Sequence, residues 1–363
     1  MTLKWEKVRL GDVAELQRGF DLPSTKRIEG EIPIVSSSGI TGFHVEAKAK
    51  APGVVTGRYG SIGDVFYLEQ DFWPLNTSLW FKDFHGNDEK FIYFLLSNFD
   101  FKKFSDKTGV PGVNRNDLHA VNVLLPPLSE QKKIAQILST WDKAISVTEK
   151  LLANSQRQKK ALMQQLLTGK KRLLNENGVR FNGKWEKKLL SDVADVYQPK
   201  TISQSMMSDS GYPVYGANGV IGFYQEFNHE TEQIAVTCRG STCGIVNWTQ
   251  AKSWITGNAM VINTDNYSYV SKKFLFYTLN GSDLKYLISG SGQPQITGNI
   301  KTHIINLPCI EEQQKIATVL SAADAEIYTL EKKLACLRDE KKALMQQLLT
   351  GKRRVKVDEA VAE

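Results

Sequence analysis

The chain has few of the residues that build metal centres or disulfide frameworks. Its four cysteines, Cys238, Cys243, Cys309 and Cys336, include no C-x-x-C pair, and its five histidines are scattered. Neither a zinc site nor a disulfide framework follows, and buried free thiols are the expectation. No apolar run approaches the roughly 20 residues that cross a bilayer, and the start, MTLKWEKVRL, has no apolar stretch of the signal-peptide kind. A cytoplasmic protein without membrane contact is expected. Also missing are G-x-G-x-x-G, Asn/Asp-Pro-Pro-Tyr/Phe and G-x-x-x-x-G-K-[ST]. That removes the ordinary signatures of dinucleotide binding, amino-group methylation and phosphate-loop chemistry. No cofactor and no catalytic residue is therefore assigned.

The length of 363 residues allows two domains with separate cores, and the net charge of +7 suggests a polyanionic partner. The charge is unevenly placed. Residues 1–126 carry a net −1, 127–172 carry +7, 173–308 carry +1, 309–354 carry +2 and the tail 355–363 carries −2. The excess sits on one helix-like segment while the two globular stretches are almost neutral, which argues against a protein that grips phosphate everywhere.

An internal repeat organises the sequence. Lys159 to Arg172 reads KKALMQQLLTGKKR and Lys341 to Arg354 reads KKALMQQLLTGKRR, at an offset of 182. The same offset pairs Glu130-Gln131 with Glu312-Gln313, Ile134-Ala135 with Ile316-Ala317, and Leu138-Ser139 with Leu320-Ser321. Near the starts, Lys4-Trp5-Glu6 pairs with Lys184-Trp185-Glu186 and Asp12-Val13-Ala14 with Asp192-Val193-Ala194. Each half is one variable block followed by one nearly constant segment.

The constant segments have helical periodicity. Leu320, Ala323, Ile327, Leu330, Leu334, Leu337, Lys341, Leu344 and Leu348 recur at spacings of three and four, a heptad seam. Leu138, Trp141, Ile145, Thr148, Leu152, Ser155, Lys159, Leu162 and Leu166 keep the same register in the first copy. Pro126-Pro127 stops the preceding strand, Ser129 is the expected cap, and Gly169 suits a left-handed helix end. Two helices of about 40 residues are predicted, pairing as an antiparallel coiled coil, because the globular block between them lets the chain leave one end and return. The blocks would then lie at opposite ends. At Leu162, Met163, Leu166 and Leu167, and at Leu344, Met345, Leu348 and Leu349, the apolar stripe is wider than a two-stranded seam needs. Two readings stand: the surplus receives helices of a partner protein, or it packs on the chain's own domains.

Each variable block reads as mixed α/β. Val54 to Gly63 followed by Val65-Phe66-Tyr67 looks like strand, glycine turn, strand, and Ala235 to Gly244 followed by Val246 repeats it. Arg58 with Ser61, and Arg239 with Ser241, then lie beside exposed backbone N–H groups suited to phosphate oxygens; a solvated turn is the alternative. A helix follows, Glu89 to Phe104 or Ser271 to Ile288. Next comes a loop, 109–116 or 292–299, whose Asn114, Arg115, Asn116, Gln293, Gln295 and Asn299 can pair with base edges. A closing strand ends at Leu125 or Leu307. The basic runs Lys170-Lys171-Arg172 and Lys352-Arg353-Arg354 fit either solvated helix ends or phosphate contacts. Glu46-Ala-Lys48 matches the E-x-K of metal-dependent nucleases without the paired aspartate that chemistry requires. A stand-alone nuclease and a protein-binding scaffold are the rival readings; neither explains why the helix ends agree while the blocks they follow diverge.

Block order, the paired K-W-E starts, Pro126-Pro127-Leu128-Ser129-Glu130-Gln131 with Pro308-Cys309-Ile310-Glu311-Glu312-Gln313, and above all the twin ALMQQLLTGK segments resemble the specificity subunits of type I restriction-modification systems. One departure is Cys309, where the first half has a second proline. The resemblance covers nearly the whole chain. It implies an α+β protein with a pseudo-twofold repeat: target-recognition domains at 1–126 and 173–308, spacer helices at 127–172 and 309–354, and a charged tail at 355–363. It further implies a bipartite, asymmetric site in double-stranded DNA. Two methyltransferase subunits and two motor-nuclease subunits would supply the adenine methylation and the cleavage. With recognition blocks this close to neutral, the chain alone is expected to bind DNA weakly.

Overall fold

The computed structural model describes residues 4–104, 112–217, 219–290 and 293–357. Parts of both predicted loops, 109–111 and Gly292, and the tail beyond Val357 lie outside them. The chain forms two compact units: Met1–Glu149 with Lys332–Glu363, and Lys150–Glu331. Each unit therefore takes a part of each long helix, and the division falls within the helices rather than at their ends.

Unit 1 begins with β1 (Glu6–Arg9), α1 (Leu10–Val13), β2 (Glu15–Arg18), β3 (Ile32–Ser36), β4 (Gly39–His44), β5 (Gly53–Gly57), β6 (Val65–Leu68), β7 (Trp73–Pro74) and β8 (Ser78–Asp83). There follow α2 (Glu89–Ser97), α3 (Arg115–His119), β9 (Asn122–Leu125) and the 39-residue α4 (Leu128–Leu166). The strands make an antiparallel sheet β2-β8-β5-β6, a smaller sheet β4-β3-β7, and the pair β1-β9. In β5 all five residues, Gly-Val-Val-Thr-Gly, are buried, as a central strand covered on both faces requires. Unit 2 repeats the order: β10 (Glu186–Leu189), α5 (Leu190–Val193), β11 (Asp195–Tyr197), β12 (Tyr212–Gly216), β13 (Gly219–Tyr224), β14 (Ile234–Thr237), β15 (Val246–Trp248), β16 (Trp254–Ile255) and β17 (Ala259–Asn263). Then come α6 (Lys272–Asn280), β18 (Ile304–Leu307) and the 39-residue α7 (Ile310–Leu348). Its sheets are β11-β17-β14-β15, β13-β12-β16 and β10-β18, the same topology.

Several boundaries differ from the sequence expectation. The helices begun at Glu89 and near Ser271 end at Ser97 and Asn280, after which 3-10 turns at Phe101–Phe104 and Lys285–Leu287 take over. Asp88 and Ser271 cap them by accepting from the N–H of Phe91 and Phe274. Ser129 is not a cap: α4 starts at Leu128, and the Gln131 N–H already bonds the Pro127 carbonyl. Nor are the thiols uniformly buried. Cys238 is buried, where desolvation pushes its thiol up, but Cys309 and Cys336 are exposed.

The long helices run antiparallel within each unit. In unit 1 the ion pairs Arg338–Glu149, Lys341–Asp142 and Arg354–Glu130 descend α4 as they climb α7. In unit 2 Ser155 donates to Glu326, Lys159 pairs with Asp324, and Arg172 with Glu312. The seam lysines are thus satisfied in both units by an aspartate of the opposite helix, and each also lies over an aromatic ring, Lys341 over Phe94 and Lys159 over Tyr277. Every predicted seam position is buried or half-buried. The constant triads Ile134-Ala135-Leu138 and Ile316-Ala317-Leu320 are core residues of their units, packed with Phe91 and Phe94 in one and Phe274 and Tyr277 in the other. Both helices end on glycines in the left-handed region, Gly169 at φ +68° and Gly351 at φ +70°. Beyond each the chain turns back, Lys171 N–H to the Gln165 carbonyl and Arg353 N–H to that of Gln347.

Candidate nucleic-acid interface

The frame is pinned by a joint built twice. In unit 1 the buried Glu130 carboxylate takes a two-point ion pair from Arg354 and accepts the Trp5 indole N–H at 3.2 Å, with the guanidinium 5.4 Å from the Trp5 ring centre. In unit 2 Arg172 reaches both oxygens of the fully buried Glu312 at 2.6 Å, Trp185 donates at 3.2 Å, and the guanidinium stands 5.6 Å from that ring. The neighbouring glutamines complete the joint. Gln131 accepts from the Asp88 N–H and donates to Asn87 and the Pro126 carbonyl; Gln313 accepts from the Ser271 N–H and donates to the Tyr269 and Pro308 carbonyls. The last residue of each basic run is therefore spent inside the protein, and neither Arg172 nor Arg354 is a solvated cap or a phosphate ligand. These joints explain the repeated Trp, Glu-Gln and terminal Arg as one device, which no local pattern in the sequence connects.

The apolar segments at the helix ends are mostly consumed as well. Leu166, Leu348 and Leu349 are buried in the cores of their own units, which corrects the expectation that they present surface to a partner. Leu162, Met163 and Leu167 pack against the unit 2 core, and Leu344 and Met345 against that of unit 1, with part of each side chain accessible. The physical reason is that each segment passes under a globular block, which supplies the cover a third helix would. A cavity of about 920 Å³ beside α4 is lined by Lys160, Met163 and Leu167 together with Gly281. Another, of about 790 Å³ beside α7, is lined by Trp141, Leu344, Gln347 and Arg353. The two cavities lie on different faces of the repeated helices.

The turn and loop residues come together at one edge of each large sheet. In unit 1 the Val113 N–H bonds the Arg58 carbonyl, Tyr59 bridges Gly112, and the Arg58 N–H bonds the Thr77 carbonyl. In unit 2 the Ile296 N–H bonds the Cys238 carbonyl, Arg239 bridges Gln295, and the Cys238 N–H bonds the Asn258 carbonyl. The structural counterpart of Arg58 is accordingly Cys238, and Arg239 stands where unit 1 has Tyr59. The sequence aligned Arg58 with Arg239, one residue out of register, because the second turn is longer by one. Ser61 and Ser241 are both exposed, each one residue past a left-handed glycine, Gly60 or Gly240. Gly57 is needed for close approach: a Cβ there would lie 1.8 Å from the Ser61 carbonyl oxygen.

The loop residues divide by what they already hold. Asn114 caps α3 by accepting from the Asn116 N–H, so Arg115 and Asn116 open a short helix rather than lie in a loop. Asn299 accepts from the Thr297 N–H and donates to the Leu287 carbonyl at 2.8 Å. Its amide braces its own segment and is not free to read a base. Gln293 and Gln295 are exposed, the latter with its backbone paired to Ser289. Sequence reasoning missed Arg18. It lines a cavity of about 460 Å³ with Arg58, Tyr59, Asn114 and Arg115. Arg58 is oriented there by its own neighbours, donating to the Asn76 carbonyl and the Tyr59 hydroxyl while its guanidinium lies 4.4 Å from the Tyr59 ring centre. At the end of α3, His119 accepts the Leu16 N–H at 2.9 Å, and burial, then the Arg115 charge, holds it below its ordinary pKa.

Glu46 and Lys48 face each other at 4.0 Å, Lys48 lies over Trp73, and no group of three or more His, Cys, Asp or Glu able to hold a metal occurs among the described residues. Nor is any described helix long and apolar enough to cross a membrane.

Two like α/β units, each carrying an exposed polar edge and each built on parts of the same two antiparallel helices, define a duplicated recognition protein. The family model described as the type I restriction modification DNA specificity domain matches residues 2–154 and again 182–336, and the chain belongs to that family. It is the non-catalytic specificity component, with a role in DNA recognition. The type I restriction enzyme MjaVIII specificity subunit of Methanocaldococcus jannaschii is 26% identical, over 97% of this chain and 93% of that protein. The putative MjaX specificity subunit of the same organism is 28% identical over 73% and 68%. The solved S subunit from M. genitalium has the same fold, with a TM-score of 0.73 at 17% identity over 96% of both chains. A structure from work on assembly and conformational transition of a type I system superposes at 0.56, covering 97% of this chain.

Proposed function

We propose that each block reads one half of a bipartite, asymmetric site in double-stranded DNA, residues 1–126 one half and 173–308 the other. The helical segments 127–172 and 309–354 set the unread spacer between them. Two methyltransferase subunits and two motor-nuclease subunits join in the cytoplasm to modify adenine and to cut. The observation that carries this reading is the contrast inside the repeat. The frame residues recur in kind and in hydrogen bonding, whereas the edge residues mostly differ, Arg58, Asn114, Arg115 and Asn116 against Arg239, Gln293 and Gln295, with Ser61 and Ser241 alike. A duplicated frame under unlike edges suits a split target with unlike halves. The exposed parts of Leu162, Met163, Leu167, Leu344 and Met345 remain the candidate contacts for the methyltransferases.

Mapping methylated adenines in DNA from cells holding the complete system tests the proposal. Two short, unlike sequences separated by a spacer of fixed length and free composition are expected. A single uninterrupted palindrome would refute it. One heptad inserted into a helix should alter the spacer and leave both half-sites unchanged.

A further inference from the structure

The edges of the two units differ in charge where their frames superpose. In unit 1 three arginines from separate elements meet on one cavity: Arg18 at the end of β2, Arg58 after β5, and Arg115 at the start of α3. Strand pairing gives the unit 2 counterparts. Arg18 lies opposite Leu79 and corresponds to Gln198, one residue beyond Tyr197 opposite Val261. Arg58 corresponds to Cys238, and Arg115, two residues past the loop bond to the sheet, corresponds to Gly298. None of the three is charged. Gln198 and Cys238 close on each other instead, the amide 3.7 Å from the sulfur and also bonded to the Gly257 carbonyl. Where unit 1 brings three arginines to one recess, unit 2 has no charge at those three positions and keeps a single arginine, Arg239, in the place of Tyr59.

We propose that the Arg18–Arg58–Arg115 recess of unit 1 is a seat for one backbone phosphodiester of the DNA. The two half-sites are then held unequally, with unit 1 supplying the greater share of the salt-dependent grip. This rests on the DNA-reading role proposed above and adds to it a ligand and an asymmetry. A phosphate is favoured over a guanine edge for two reasons. A base edge uses one guanidinium fork, whereas three converge here. And Arg58 already donates from both terminal nitrogens to its own chain, which leaves it an oriented charge rather than a free fork. Asp21 stands 3.4 Å from Arg18 and is bonded also by Asn76. A phosphate would draw Arg18 away from it. Tyr59 and Asn114, on the cavity wall, are available as further donors to the same anion.

The test uses the full chain and a fluorescently labelled duplex of mixed sequence, with affinity followed by anisotropy over a sodium chloride series at low ionic strength. R18A and R115A alter exposed side chains, so the fold should persist by circular dichroism. Together they should lower the slope of log K against log salt by about one, the share of a single phosphate, and each alone by part of that. R115K, which keeps the charge and loses the fork, should restore the wild-type slope. In the assembled system R18A should leave the methylated sequence unchanged. Unchanged slopes in both alanine variants, or a relaxed base preference at one position, would overturn the phosphate seat while leaving the DNA-reading role standing. A wild-type assembly that methylates without sequence preference would sink that role itself, and the seat with it.

Discussion

Unit 1 and unit 2 agree in the side chains that hold the frame and differ in the arginines of the sheet edge. Trp5, Glu130 and Arg354 have their equals in Trp185, Glu312 and Arg172, down to the indole hydrogen bond of 3.2 Å in both. Arg18, Arg58 and Arg115 have no equals. The lesson is that duplication preserved the groups that cannot change singly, since a buried carboxylate needs its guanidinium. The edge could drift, because an exposed side chain costs little to replace.

The largest expected effect probes the joints. Arg172→Met leaves the fully buried Glu312 without its cation and should cost about 3–5 kcal/mol in a urea titration. Arg354→Met should cost less, because Glu130 and Arg354 are the more exposed pair. Equal losses would show that the two joints are energetically alike despite their difference in burial. Next come Gln131→Ala and Gln313→Ala, each of which strands a backbone N–H at the head of a domain helix. Losses of about 1–3 kcal/mol are expected, similar in the two units. A marked inequality there would break the equivalence of the frames.

Acid should separate the units more gently. Burial depresses His229 and His303 in unit 2; burial and then Arg115 depress His119 in unit 1. A histidine whose folded pKa lies below its unfolded value near 6.5 contributes stability that is complete above about pH 6.5. That stability is lost as pH falls toward the folded pKa. Amide exchange followed from pH 7 downward should show unit 2, with two such groups among its described residues, loosening ahead of unit 1. His303→Gln, which keeps a partner for the Tyr286 hydroxyl at the same place, should reduce that lead.

Much of the frame could be read from the letters because its signals are local. Heptad spacing gave two 39-residue helices, β-branched runs beside glycine turns gave the hairpins, and the offset of 182 exposed the repeat. What stayed hidden was non-local. Arg58 looked equivalent to Arg239 because both follow a short apolar strand, yet strand pairing and a turn longer by one residue put Cys238 in its place. Arg18 carries no motif; only the pairing of β2 with β8 brings it to the recess. Arg172 and Arg354 passed for helix-end cations because their carboxylates lie 140 and 224 residues away in sequence. The wide apolar stripe suggested a partner helix, but the same stripe serves equally to seat the chain's own domains.

The central claim is that two unlike readers occupy one duplicated frame, each answerable for its own half of the target. It is tested most directly by replacing residues 173–308 with the corresponding segment of another specificity subunit and mapping the methylated adenines that the hybrid assembly produces. One half-site should change to that of the donor while the other half stays as it was. Alteration of both halves, or of neither, would contradict the account.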